Sequence, residues 1–348
     1  MGEVGLLVGE RSTVMRRVVC VLVVALLALT IPGAVQAGTL KMKVAHYFDD
    51  DHAWNKGYLK FAEIIRAKTN GQLDIEMFNR GVLGSEKDYV QNMMQGALDL
   101  STVSTASAGG FARELTFLDL MFIWKDFEHW RQALDGEIGR KISEVIEKGT
   151  AKAGNPGLKI LGYMGGSQRH VISRKQGYAT LADMKGFKIR VQDSPTQIEM
   201  WKLLGTIPAV VPYQETYNAM QTGVVDGMEN EMSTAFQMKF HEVGPHISRT
   251  AHIITVRPMF MSGQTWRKLT PDQQKIVLEA AKEGVNTQRT VEQKQNDEAE
   301  EAMKKVGTKF YEFKERAKMA EILLPVRQRV AKEVGISDIF DLIERGAK

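Results

Sequence analysis

Apolar residues along this chain recur at two different periods, and the alternation between those periods outlines its elements. Residues 40–45 read as a strand, after which Trp54, Tyr58, Phe61 and Ile65 follow at spacings of four, three and four, one face of a helix. Asn70-Gly71 ends that helix. Leu73, Ile75 and Met77 then alternate with Asp74 and Glu76, the pattern of a half-buried strand. Ser85 is a cap for a helix reaching about residue 95, and 98–103 reads as a third strand. Strand, helix, strand, helix, strand in that order predicts a mostly parallel α/β layer with right-handed crossovers.

A second unit opens beyond the loop at 154–157, with strands predicted over 158–164, 170–173 and 187–191. In the last of these Phe187, Ile189 and Val191 share one face while Lys188 and Arg190 share the other. Ser194-Pro195 starts a helix, an N-cap followed by proline at the first helical position. Another helix over 215–222 stops at Gly223, and 224–228 reads as a buried strand. Thr270-Pro271-Asp272-Gln273 is a capping box, and helical sequence runs on to about Val306 with Gly284 as its weak point. At ~1.5 Å per residue that helix is about 54 Å long, more than one small domain is wide.

The first 37 residues have a different character. Arg16 and Arg17 precede an unbroken apolar run from Val18 to Leu29, and Val35-Gln36-Ala37 offers small residues for cleavage, so 1–37 reads as an export signal. Met15 stands directly before the arginines as an alternative start to Met1. The single cysteine, Cys20, lies inside this segment, so the mature chain has no thiol for disulfides, thiolate metal sites or nucleophilic catalysis. Removing three arginines and two glutamates with the signal from 46 basic and 42 acidic residues leaves a net charge of +3. These charges are interspersed, without the basic stripe that nucleic acid requires.

Candidate chemistry concentrates between Gly165 and Asn230, where Arg169, Arg190, Tyr213 and Asn230 lie near turns and strand ends. Arg190 ends a strand just before a helix N-terminus, and the crevice at the carboxyl ends of strands is where open α/β sheets bind ligands. Its guanidinium matches a carboxylate bidentately. Free N–H groups of the helix at Ser194 would add to that positive field. Position alone leaves a surface arginine as the alternative, for Arg190 and Arg169 alike. His46, His52 and Asn55 surround the first strand–helix turn, either as pocket contacts or as a locally bonded helix start. Asp49-Asp50-Asp51 lacks the spaced ligands of a calcium loop. The histidines of "HEVGPH" are five apart, and Gly244-Pro245 breaks the helix a zinc-protease motif needs. Neither a metal nor a cofactor is implied, and no G-x-S-x-G elbow supports a hydrolase.

The order of residues in "LADMKGFKIRV" and "SPTQIEMWKLLGTIPAVVPYQETYNAMQTGVVDGMEN" resembles the core of solute-binding proteins of TRAP (tripartite ATP-independent periplasmic) transporters, the DctP family. "FAEIIRAKTNGQLDIEMF", "GVLGSEKDYVQNMMQGALDL" and "LTFLDLMFIWKDFEHW" are similar to the family's first lobe, with Met121 where proline is usual. The resemblance implies a two-lobed, type II-like periplasmic binding protein fold with the long helix bridging both lobes. We expect 38–166 plus 256–295 in lobe I and 167–255 plus 296–348 in lobe II. It also implies that Arg190 is the family's carboxylate clamp, that Arg169 is its second arginine, and that Tyr213 walls the pocket. Asn230 and Glu86 stand where polar contacts lie, and His46 and Asn55 are offered by the opposing lobe. Met228 for the usual glutamine and Glu231 for the usual proline are departures. The expected function is non-enzymatic: an exported receptor holds a small organic acid (a sugar acid, a dicarboxylate or an oxo acid) and delivers it to the small and large membrane subunits of a TRAP permease. A ligand-presenting sensory binding protein is the alternative on the same pocket.

Overall fold

The computed structural model of the protein describes residues 38–346. The export signal predicted over 1–37 lies outside the described residues. A 9-stranded sheet organises those that are described. Its strands are β1 (Leu40–Ala45), β2 (Leu73–Phe78), β3 (Leu100–Thr102), β4 (Leu158–Ser173), β5 (Lys188–Val191), β6 (Ile207–Val210), β7 (Gly227–Asn230), β8 (His246–Ser262) and β9 (Lys309–Glu312). They run in the order β2-β1-β3-β8-β4-β7-β5-β6, with β9 beside β8.

The sheet has two wings. β1 is parallel to β2 and β3 in the first, and β5 is parallel to β6 and β7 in the second. Between them β4 and β8 form a long antiparallel pair, and their contacts with β3 and β7 are antiparallel too. The layer expected over the first three strands is parallel, while the sheet as a whole is mixed. The physical reason is the route of the chain: it enters the second wing along β4 and returns along β8, so the connecting strands must oppose each other.

β4 also merges the strands expected separately over 158–164 and 170–173. Gly165 and Gly166 join them at φ of 104° and 101°, a region only glycine enters easily. A Cβ at Gly165 would stand 2.5 Å from the Thr255 carbonyl oxygen. Here the pairing with β8 slips between Gly165 and Gln168, so the strands change direction where one wing gives way to the other. The strand expected over 224–228 lies instead at Gly227–Asn230. Gly223 closes the Thr216–Thr222 helix in the left-handed conformation, and the chain has to turn through an exposed Val224 before it can pair.

The helix Pro271–Lys305 begins at Thr270 with the capping box formed in both directions. It packs along the Ala53–Lys68 helix of the first wing and reaches the Met232–Gln237 helix of the second. Between these contacts Gln288 accepts a hydrogen bond from the Gly165 amide at 3.0 Å, and Asn296 one from the Ser233 amide at 2.9 Å. The apolar face seen in the sequence is buried as its spacing requires, with Tyr58, Phe61 and Ile65 set against Val277, Ala281 and Val285. A separate core in the second wing gathers Ile172, Met220, Met228, Phe240 and Met303.

Candidate ligand-binding cleft

Two adjoining voids of unequal size lie between the wings, sharing Tyr47, Glu86, Gln192 and Tyr213 as walls. Tyr47 and Glu86 belong to the first wing. Gln192 and Tyr213 follow β5 and β6 in the second. The rings of Tyr47 and Tyr213 meet across the gap with centroids 6.2 Å apart.

Arg190 is placed by β5, which pairs with β6 along one edge and with β7 along the other. Its residue is 2% exposed. Nε donates to the Val211 carbonyl at 2.9 Å, and the guanidinium lies 5.7 Å from the centre of the Tyr213 ring. Nη1 has no hydrogen-bond partner. Burial brings the Arg190 pKa down to about 10, with Glu229 pulling the other way. A desolvated cation with an unused donor is a group waiting for an anion.

Arg169 is the opposite case. Its Nε donates to Glu229, and Nη2 donates at 2.7 Å to both a carboxylate oxygen and the main-chain carbonyl of that residue. Nη1 donates at 3.0 Å to the side chains of Asn230 and Glu231. Burial opposes its charge, but Glu229 and Glu231 outweigh that and hold its pKa above the ordinary guanidinium range. Glu229 in turn resists its own burial through Arg169 and is brought down to about 2. Asn230, at the end of β7, lines the smaller void with its side-chain oxygen already accepting from Arg169 and from the Glu231 amide.

Glu86 opens the Glu86–Gln95 helix behind its Ser85 cap. Its carboxylate accepts from the Ser104 amide at 3.0 Å and the Ser104 hydroxyl at 2.8 Å, which fixes it facing both voids. His46 and Asn55 are set behind the wall, in neither lining. His46 Nδ1 accepts from the Phe48 amide at 3.2 Å, which leaves Nε2 to donate to Asn55, 3.4 Å away. Asn55 also binds the Asp50 carbonyl and Asn79. Burial lowers the His46 pKa to about 4, so the ring is neutral near pH 7. The pair ties down the turn after β1. Met228 faces the core of the second wing, whereas Glu231 faces the cleft.

Three residues escaped the sequence reading. Arg257 projects from β8, a strand that no alternation reveals. Glu292 projects from the polar half of the long helix. Asp119 receives hydrogen bonds from the Ser194 hydroxyl and the Gln197 amide, both at 2.8 Å. An acid therefore occupies the helix N-terminus that was expected to reinforce Arg190, and burial raises its pKa to about 7. Among the described residues no cluster of three histidine, cysteine, aspartate or glutamate side chains is arranged to hold a metal ion.

Residues 44–333 match the family described as bacterial extracellular solute-binding protein, family 7 (DctP). A solute-binding protein of Sulfitobacter sp. (strain NAS-14.1) is 35% identical over 322 residues, covering 92% of this chain and 95% of that protein. The C4-dicarboxylate-binding periplasmic protein DctP of Rhodobacter capsulatus is 30% identical over 317 residues, or 90% of this chain and 92% of that one. Among solved structures, a TRAP periplasmic solute-binding protein from Sulfitobacter sp. NAS-14.1 with bound alpha-D-taluronate superposes with a TM-score of 0.82 at 34% identity, covering 88% of this chain and 98% of its own. Another from Pseudomonas putida F1, with bound D-glucuronate, gives 0.81 at 29% identity over 88% and 96%.

Proposed function

Because this chain belongs to the bacterial extracellular solute-binding proteins of family 7, a family of two-lobed receptors, we propose that it is a non-enzymatic periplasmic receptor for a small organic acid, handing its ligand to the small and large membrane subunits of a TRAP permease. The observation that carries the reading is the buried, unfilled Nη1 of Arg190 at the cleft. A ligand carboxylate completes that guanidinium, and Tyr213, Glu86 and Asn230 complete the wall around it. The acid sugars held by the structural relatives support a sugar acid as the class. His46 and Asn55 serve by holding the turn behind the pocket. Arg169 serves by holding Asn230 in place.

The lobes divide at the irregular crossing of β4 and β8, giving 38–166 plus 256–295 and 167–255 plus 296–348. Closing them around a carboxylate removes water and strengthens each polar contact. Charge-assisted hydrogen bonds contribute roughly 1.5–3 kcal/mol apiece, so losing two weakens binding by about two to four orders of magnitude. Arg190→Ala is expected to show that loss against a panel of organic acids in titration calorimetry, with an unchanged melting temperature in the ligand-free protein. Binding retained in the variant would refute the clamp.

A further inference from the structure

The joined space between the lobes has two chemically different ends. Arg190 lines the larger void alone, while Glu231, Glu292 and Arg257 line the smaller one alone. Glu231 and Glu292 are buried, at 6% and 4% exposure. Glu231 already shares Arg169 and lies 3.4 Å from Arg257. Glu292 takes a hydrogen bond from the Gln288 amide and, among the described residues, enters no ion pair. Burial, with Glu231 beside it, raises the Glu292 pKa to about 7. Lining the two voids, three guanidiniums, Arg169, Arg190 and Arg257, and the ammonium of Lys87 stand against four carboxylates, Glu86, Asp193, Glu231 and Glu292, with Glu229 behind Arg169.

We propose that Glu231 and Glu292 are specificity determinants that admit a hydroxylated monocarboxylate and reject a dicarboxylate. The idea rests on the organic-acid reading above and refines it. One carboxylate satisfies Arg190. A second, at the far end, meets two buried carboxylates and a single cation, Arg257, that already lies against Glu231. Ionised carboxylates only accept hydrogen bonds, so what that end lacks is donors. Sugar hydroxyls supply them, and the Arg257 guanidinium can donate back to the same hydroxyl oxygens. The buried, unpartnered Nη1 of Arg190 marks the joined space as a ligand site independently of the acidic pair.

The test compares size-matched acids at mildly alkaline pH, where Glu292 is ionised. D-gluconate and D-glucarate share a six-carbon open chain and differ in whether its far end is a hydroxyl or a second carboxylate. D-glucuronate, D-galacturonate and succinate complete the panel, each titrated calorimetrically into the purified protein. At least one monocarboxylate is expected to bind ~100-fold or more tightly than both glucarate and succinate, since like charges juxtaposed in an interface cost several kcal/mol. Glu292→Gln is expected to narrow that ratio at least tenfold while weakening the best monocarboxylate only several-fold, because the amide oxygen still accepts. Glu231 is left intact because its loss would unpair Arg169. Either dicarboxylate binding within tenfold of the best monocarboxylate in the parent protein overturns the selectivity without any variant having to fold. A ratio unmoved in a Glu292→Gln protein of normal melting temperature overturns the role of Glu292. Failure of every acid in the panel overturns the acid-receptor reading itself, and the selectivity with it.

Discussion

A guanidinium with all its nitrogens engaged and a guanidinium with an unpartnered Nη1 answer differently to the same substitution. Arg169→Ala leaves Glu229 and Glu231 buried without their cation, and removing one partner of a buried pair costs about 3–5 kcal/mol. A clear fall in melting temperature is expected for that variant, in contrast to the stable but non-binding Arg190→Ala. Equal melting temperatures for the two would remove the distinction. The sequence offers both arginines as candidate ligand contacts but cannot separate them. The acids that occupy Arg169 lie 60 and 62 residues away, delivered by the pairing of β4 with β7 that sets His170 opposite Asn230. The buried acid Asp119 gives a second test. Its pKa rises from 3.8 to about 7 on folding, so between those values the unfolded chain binds fewer protons than the native one. Stability falls as pH rises through this window, and Glu292 acts in the same direction. His46, lowered to about 4, acts oppositely as pH falls below the ordinary histidine value. Asp119→Asn is expected to reduce the loss of melting temperature from mildly acidic to mildly alkaline pH. An identical decline in variant and parent would show that the proton resides elsewhere.

Elements with a solvated side, and short buried strands between turn residues, were legible, whereas the long buried strand β8 was not. β2 showed its alternation because one face is exposed, and the capping box at Thr270 is a local motif that needs no tertiary context. β8 is buried on nearly every residue, with Ser248, Thr250, His252 and Thr255 among its covered positions, so neither polarity nor period marks it. Gly284, a weak point in the sequence of the long helix, acquires a reason in the structure. A Cβ there would stand 2.8 Å from the Gly57 carbonyl oxygen, and one at Gly57 would meet the Gly284 carbonyl at the same distance. Here the helices of residues 53–68 and 271–305 approach backbone to backbone. Gly284→Ala gains about 1 kcal/mol of helix propensity, but overpacking against rigid backbone costs typically 1–3 kcal/mol. The expected result is a net loss of stability in chemical denaturation. A gain would mean that the helices separate without penalty.

At the scale of the molecule, the two lobes communicate through three kinds of connection: the crossing strands β4 and β8, the long helix, and contacts across the mouth of the cleft. The first two are covalent and persist in any arrangement, so ligand control of closure has to act through the third. A ligand shifts such a balance only by touching both sides, and Glu86 and Arg190 face the shared space from opposite lobes. Beside them Lys87 and Asp193 form an ion pair of 2.5 Å across the mouth, with side chains 54% and 57% exposed. At that exposure the pair contributes at most about 1 kcal/mol and is screened by salt, so it cannot hold the cleft shut alone. Its effect belongs in the rate of escape. Lys87→Ala is expected to speed ligand dissociation up to about fivefold in stopped-flow measurements at low ionic strength, with the difference fading in high salt. Asp193→Lys should speed it further by setting like charges face to face, and the exchanged pair Lys87→Asp with Asp193→Lys should recover the parent rate. If the exchanged pair releases ligand as fast as Asp193→Lys, the contact is incidental, and closure depends on the ligand and the polar groups it bridges.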